Sequence, residues 1–111
     1  MVLKDAHPSI LDWLREVWSG EFDWNDKNRT KLQKHGFTQA EVESCFSGDI
    51  ILAGESVGEY GEPRLISYGQ LADGRYMTVA WTPRQDTVRP ISCRRSRNGE
   101  KKIYENTRRQ L

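Results

Sequence analysis

Long apolar runs are missing from this chain, and that absence sets the first boundary. Hydrophobic residues make up 36% of its 111 positions, and nowhere do they approach the roughly 20 in a row that a membrane-spanning helix needs. Asp5, Asp12 and polar breaks near the start replace the apolar core of a secretory signal, so a cytoplasmic protein is expected. Cysteine is scarce: Cys45 and Cys93 sit in apolar surroundings without ligand spacing, which predicts buried free thiols in a reducing compartment, not a disulfide scaffold. No cluster of His, Cys, Asp or Glu falls at metal-ligand spacing, so neither a metal nor a cofactor is expected. A glycine-rich phosphate loop, a G-x-S-x-G elbow and a zinc-finger pattern are absent as well.

Charge is plentiful but unevenly placed. The chain is 30% charged with a net charge of +1. Residues 84–111 hold nine Lys/Arg against three Asp/Glu, a balance of +6, while residues 1–83 hold eight against thirteen, or −5. A basic C-terminal quarter on an acidic body fits a molecule with one side turned to a polyanion. A solvated terminal helix accounts for the charge equally well. The length suits a single core.

Hydrophobic spacing predicts the elements. Pro8 to Asp12 reads as a helix start with Ser9 and Asp12 spaced as a capping box; Ile10, Leu11, Leu14, Val17 and Trp18 then recur at helical intervals up to Gly20. This amphipathic helix can dock on the body or on a partner, and residues 1–21 form an extension to a domain spanning 22–111. Phe22-Asp23-Trp24 predicts a short strand. Asn25 caps a helix that stacks Lys27, Lys31 and Lys34 at i, i+4 and i+7, with His35 beside that ridge and Gly36 as the stop. Thr38 and Glu41 form a second capping box, with Phe37 and Val42 at the staple positions of a helix that closes at Ser47-Gly48. From residue 50 the period changes. Ile50 to Leu52 reads as a strand, Gly54 to Gly61 as an acidic loop and Leu65 to Leu71 as a strand. Ala72-Asp73-Gly74-Arg75 carries a D-G hairpin turn, and Tyr76 to Thr82 alternates with Met77, Val79 and Trp81 on one face. Pro83 to Asp86 predicts another turn, and Thr87 to Arg95 a strand in which Pro90 requires an edge position or a bulge. Ser96 or Asn98 caps a final helix with Ile103, Tyr104, Thr107 and Leu111 on one side. The order gives an α+β class: a small antiparallel sheet flanked by helices, with an extra N-terminal helix.

Taken in sequence, these pieces resemble the BrnT-type ribonuclease toxins of bacterial type II toxin–antitoxin systems, whose fold is related to RelE. The resemblance rests on Phe22 to Asn25, the helix from Lys27 to Lys34-His35-Gly36, Thr38 with Glu41, Arg64 entering a strand, and Asp73-Gly74-Arg75. It continues through Thr82-Pro83-Arg84, Arg89 to Arg95 and Glu100 to Glu105. The chain departs from the pattern at Asn25, at Lys31 (usually asparagine), at Pro90 and at Arg97, and its first helix lies outside it. The resemblance implies an RNA-cleaving toxin that uses no cofactor and is neutralised by a cognate ribbon-helix-helix antitoxin in a hetero-oligomer. Operator DNA would be contacted only through that antitoxin.

Cutting RNA without a metal uses the neighbouring 2′-hydroxyl as nucleophile. It needs a base, an acid for the leaving 5′-oxygen, and cations around the phosphate. The expected catalytic set is His35, Lys34, Arg64, Arg94 and Tyr104. Histidine is the residue type suited to acid or base work near neutral pH, which makes His35 a candidate, yet a helix C-cap histidine has the same sequence signature. Arg64 and Arg94 can clamp phosphate bidentately, and an exposed strand-end arginine remains the plainer account of either alone. Tyr104 can stack on a base or donate a proton, or pack as a core residue with a wet tip. Lys27, Lys31, Arg89, Arg95 and Lys101 are expected to hold the RNA backbone. The four tryptophans are core anchors by default. Two further readings stay open: a catalytically weak binding module, and an N-terminal helix that dimerises the chain or occludes its site.

Overall fold

The turns bring four consecutive strands side by side. A computed structural model describes residues 10, 12–48, 50–57 and 62–110. In it β1 (Ile51–Val57), β2 (Pro63–Gln70), β3 (Tyr76–Arg84) and β4 (Thr87–Arg95) form one antiparallel sheet in the order β1-β2-β3-β4. Gly74, at φ +97°, takes the left-handed conformation that the Asp-Gly turn between β2 and β3 requires. Helices α1 (Asp26–Lys34) and α2 (Gln39–Ser47) precede the sheet and α3 (Asn98–Arg109) follows it, giving the expected α+β class.

Side-chain alternation assigns the two faces of the sheet. Along β2, Leu65, Ser67 and Gly69 are buried, while Arg64, Ile66, Tyr68 and Gln70 point the other way and stay partly open. The register pairs Leu65 with Trp81, Ser67 with Val79 and Gly69 with Met77, so these share the core face. α2 packs there: Phe46 meets Trp81 edge-on at 5.5 Å, and Cys45 Sγ would lie 3.2 Å from any Cβ at position 69. Glycine at 69 therefore permits close approach of helix and sheet. α3 covers part of the opposite face, through Glu100 to Thr78 and Glu105 to Tyr76.

Both interior helices begin as expected. Asn25 and Asn28 cap α1 reciprocally, Thr38 and Glu41 cap α2, and the staple residues Phe37 and Val42 are buried. Cys45 and Cys93 are buried free thiols; burial pushes Cys45 up to about 11 and Cys93 higher still.

Several elements differ from expectation. β1 continues to Val57, through what reads as an acidic loop, because Gly54 to Val57 pair with Pro63 to Ile66; backbone pairing at an edge needs no apolar alternation. Residues 58–61 of that stretch lie outside the described residues. β3 runs on to Arg84, so the following turn is only Gln85-Asp86. Phe22 contributes a single parallel bridge to Val88 instead of a strand. The N-cap of α3 is Arg97, neither Ser96 nor Asn98, since the Ser96 hydroxyl is engaged with Thr78 at 2.8 Å. Ile103 is half exposed, because α3 buries Tyr104 and Thr107 instead; Leu111 lies outside the described residues. The N-terminal segment forms a π-helical turn over Trp13–Val17, and Ser9 of its expected cap is outside the described residues. Ile10, Trp13, Leu14 and Trp18 pack against the same core as Phe22 and Trp24, so the described part of this segment docks on the body.

Candidate active site

The sheet face turned away from α2 carries two cross-strand rows. In the first, Tyr68 stands beside Thr78 and Thr78 beside Arg94. In the second, Thr82 pairs with Arg89, and Arg64 lies one step beyond the Leu65–Trp81 pair, next to Thr82. Four residue steps along β2 separate Tyr68 from Arg64, which is about 13 Å at some 3.3 Å per step. Ile66, Ala80 and Ser92 form the floor between the rows.

Arg89 reaches this face because of Pro90. The register steps from Ala80–Ser92 to Trp81–Pro90, leaving Ile91 as the extra residue of a bulge. A side-chain period of two means that one extra residue reverses the facing of everything before it. Pro90 and Val88 therefore enter the core, while Arg89 turns to the open face. Proline fits because it brings no N–H to the interrupted ladder. β4 is the last strand of the sheet, so the edge position and the bulge expected for Pro90 both occur.

α1 closes the second row from the side. The Asn28 side-chain amide donates to the Asp23 carbonyl at 2.9 Å and the Pro90 carbonyl at 3.0 Å, pinning the start of the helix to the bulge. Lys27 and Lys31 of α1, Glu62 and Arg64 at the head of β2, and Arg89 of β4 then surround an open pocket of about 150 Å³. Arg89 Nε donates to Asp23 Oδ2 at 3.0 Å, which holds that guanidinium at the wall. Arg64 Nε is buried and has no acceptor among the described residues. An unpaired buried donor is costly, and more so on a charged group. An anion entering the pocket would relieve that cost.

The first row is closed by comparison. Arg94 donates through Nη1 and Nη2 to the two carboxylate oxygens of Glu100, at 2.7 and 2.8 Å. Glu100 also accepts from the Thr78 hydroxyl at 3.1 Å and the Arg97 backbone N–H at 2.8 Å. Chiefly through Arg94, this network holds the Glu100 carboxyl down at about 2, against the opposing effect of burial. Tyr68 faces the pair, and burial followed by the Glu100 charge pushes its phenol up.

A family model described as "ribonuclease toxin, BrnT, of type II toxin-antitoxin system" matches residues 24–100, a span that includes the pocket and both rows. The chain belongs to the BrnT family. No curated protein matches it. Among the described residues, no helix is long and apolar enough to cross a membrane, and no three His, Cys, Asp or Glu residues are grouped to hold a metal ion.

Within this BrnT chain, the structure gathers some of the expected site residues and disperses others. Lys27, Lys31, Arg64 and Arg89 meet at the pocket. His35 and Lys34 do not line it: both are exposed at the far end of α1, and His35 is the C-cap, about 6 Å along the helix axis beyond Lys31. Arg94 is committed to Glu100, Arg95 is exposed at the end of β4, and the Lys101 ammonium lies 5.5 Å over the Tyr76 ring. Tyr104 is only 3% exposed and meets Tyr76 edge-on at 6.0 Å, so it packs α3 against the sheet instead of offering a face to a base. Glu62, Asn28 and Tyr68 are the site residues that sequence reasoning missed. Tyr68 shares parity with Arg64, and Asn28 sits at the N3 position of the α1 cap, so both left a readable signal. Glu62 left none, standing between the stretch read as an acidic loop, Gly54 to Gly61, and the strand read from Leu65.

Proposed function

We propose that the chain is the toxin of a type II toxin–antitoxin module and an endoribonuclease that cuts RNA without a metal at the Lys27–Lys31–Arg64–Arg89 pocket. The observation that carries this reading is the buried Nε of Arg64, without an acceptor among the described residues, beside three further cations. A phosphodiester supplies the acceptor that this donor lacks. When the 2′-hydroxyl attacks phosphorus, the negative charge on the phosphoryl oxygens grows, and cations fixed in advance stabilise the transition state more than the ground state. Lys101, on the helix that covers part of the same sheet face, guides the rest of the strand. A ribbon-helix-helix antitoxin neutralises the toxin in the cytoplasm by covering the basic pocket, and the hetero-oligomer contacts operator DNA through the antitoxin.

The test is incubation of the purified protein with a long single-stranded RNA, with and without a chelator. Cleavage that survives the chelator supports the reading. RNA that is bound but never shortened would instead make the chain a binding module.

A further inference from the structure

The pocket holds one acid among its described lining residues, and its position is the informative one. Glu62 stands two residues before Arg64, just ahead of β2, and lines the pocket together with Lys27 and Lys31 from α1, Arg64 from β2 and Arg89 from β4. Asp23 is spent on Arg89, and Glu100, at about 2 and doubly bonded to Arg94, is too weak a base for work near neutral pH. His35 lies outside the pocket lining. A carboxylate kept among four cations weakens the site for simple anion binding, since it repels the phosphate that the cations attract. It is useful if it performs a step.

We propose that Glu62 is the general base of this site, which deepens the ribonuclease reading and rests on it. The Glu62 carboxylate takes the proton of the 2′-hydroxyl. The 2′-oxygen then bonds to phosphorus as the bond from phosphorus to the 5′-oxygen breaks. The leaving oxygen takes a proton from the Lys31 ammonium on the facing wall, giving a 2′,3′-cyclic phosphate and a 5′-hydroxyl. Return of a proton from Glu62 to Lys31 through solvent resets the pair. Arg64 and Arg89 neutralise the phosphoryl oxygens throughout. This assigns Lys31 the acid role, where the asparagine of the family pattern could not donate a cationic proton.

The experiment compares Glu62→Gln, Lys31→Ala and Arg64→Ala in the full chain, with one single-stranded RNA and the same RNA carrying a sulfur in place of the scissile 5′-oxygen. A thiolate leaves without a proton, so the sulfur substrate rescues loss of the acid and not loss of the base. Glu62→Gln is expected to lower kcat by about 10²- to 10⁴-fold on both substrates, the range of general acid–base catalysis. RNA affinity should be unchanged or tighter, and the acid limb of the pH profile of kcat should disappear. Lys31→Ala should lose rate on the ordinary RNA and regain it on the sulfur substrate. Cleavage by Glu62→Gln at the native rate, rescue of Glu62→Gln by sulfur, or a loss seen only as weaker binding would each overturn the base assignment. Native cleavage by Arg64→Ala would instead overturn the pocket as the site, which separates the two failures.

Discussion

Two arginines on one face of one sheet meet opposite fates. Arg94 is grasped by Glu100 through two short hydrogen bonds, whereas Arg64, two strands away in the other cross-strand row, keeps a buried Nε with no acceptor among the described residues. Both arginines read alike from the sequence, as strand residues suited to phosphate. The difference lies in what the chain places opposite each. α3 brings a carboxylate down onto Arg94, while α1 brings two more cations towards Arg64. A paired arginine stabilises the fold; an unpaired one beside a cavity is poised for a ligand.

The contrast can be broken most sharply at Arg64. Arg64→Ala should reduce RNA cleavage by about 10²- to 10³-fold, the cost of removing one fixed donor to a developing oxyanion, with little change in thermal stability. Cleavage assays alongside thermal melts would show it, and an equal loss for both arginines would dissolve the distinction. Arg94→Ala should act the other way round, destabilising the protein by on the order of 1–2 kcal/mol and affecting cleavage less. That figure sits below a full conversion of the pKa displacement because the Arg94 side chain is 34% exposed and partly screened. The sign with pH follows from Glu100, whose folded value of about 2 lies below its ordinary 4.5. Its stabilisation is complete above the unfolded value and is lost as pH falls through the folded one. Denaturant melts between those two pH values should fall steeply for the native chain and less for Arg94→Ala.

A smaller effect belongs to the lysine ridge. Lys27→Ala should weaken RNA binding several-fold and flatten the dependence of log affinity on log salt by about 0.7, as expected for one contact to a single-stranded phosphate backbone. Titrations at several ionic strengths would reveal an unchanged slope if Lys27 made no such contact. The smallest effect is expected at His35, where alanine should change kcat by less than about threefold, well short of the general acid–base range. A loss of the Arg64 size at His35 would mean that α1 delivers its C-terminal end, not its N-terminal half, to the substrate.

How much could be read beforehand depended on range. The Asn25 and Thr38 caps, the Phe37–Val42 staple and the Asp-Gly turn are interactions between residues a few positions apart, and the sequence displays both partners. Pro90 announced a disturbance but not its consequence, because the facing of Arg89 depends on where the register slips against β3. The Lys27–Lys31–Lys34 ridge was legible as a ridge. Only pinning by Asn28 decides that its first two lysines, and not the third, border the pocket. The Arg94–Glu100 clasp joins a strand to the following helix across a corner, a geometry that spacing alone does not specify. Glu62 was hidden for a simpler reason: β1 and β2 extend by backbone pairing through residues whose side chains carry no strand signal.

The Asn28 side chain has a consequence for how this surface can change over time. One amide ties α1 to the Asp23 and Pro90 carbonyls, and at the other end Arg75 donates to the Gly36 carbonyl at 3.1 Å. With the helix fastened at both ends by polar contacts and by buried Leu32, its outward positions carry no structural duty. Lys27, Lys31 and Lys34 can be rewritten one at a time without moving the scaffold beneath them. Under the proposed function, substrate choice and antitoxin matching would thus be free to drift on this helix while the protein keeps its stability, and a neutral amide exchanged for an ammonium at position 31 is the sort of step that freedom allows.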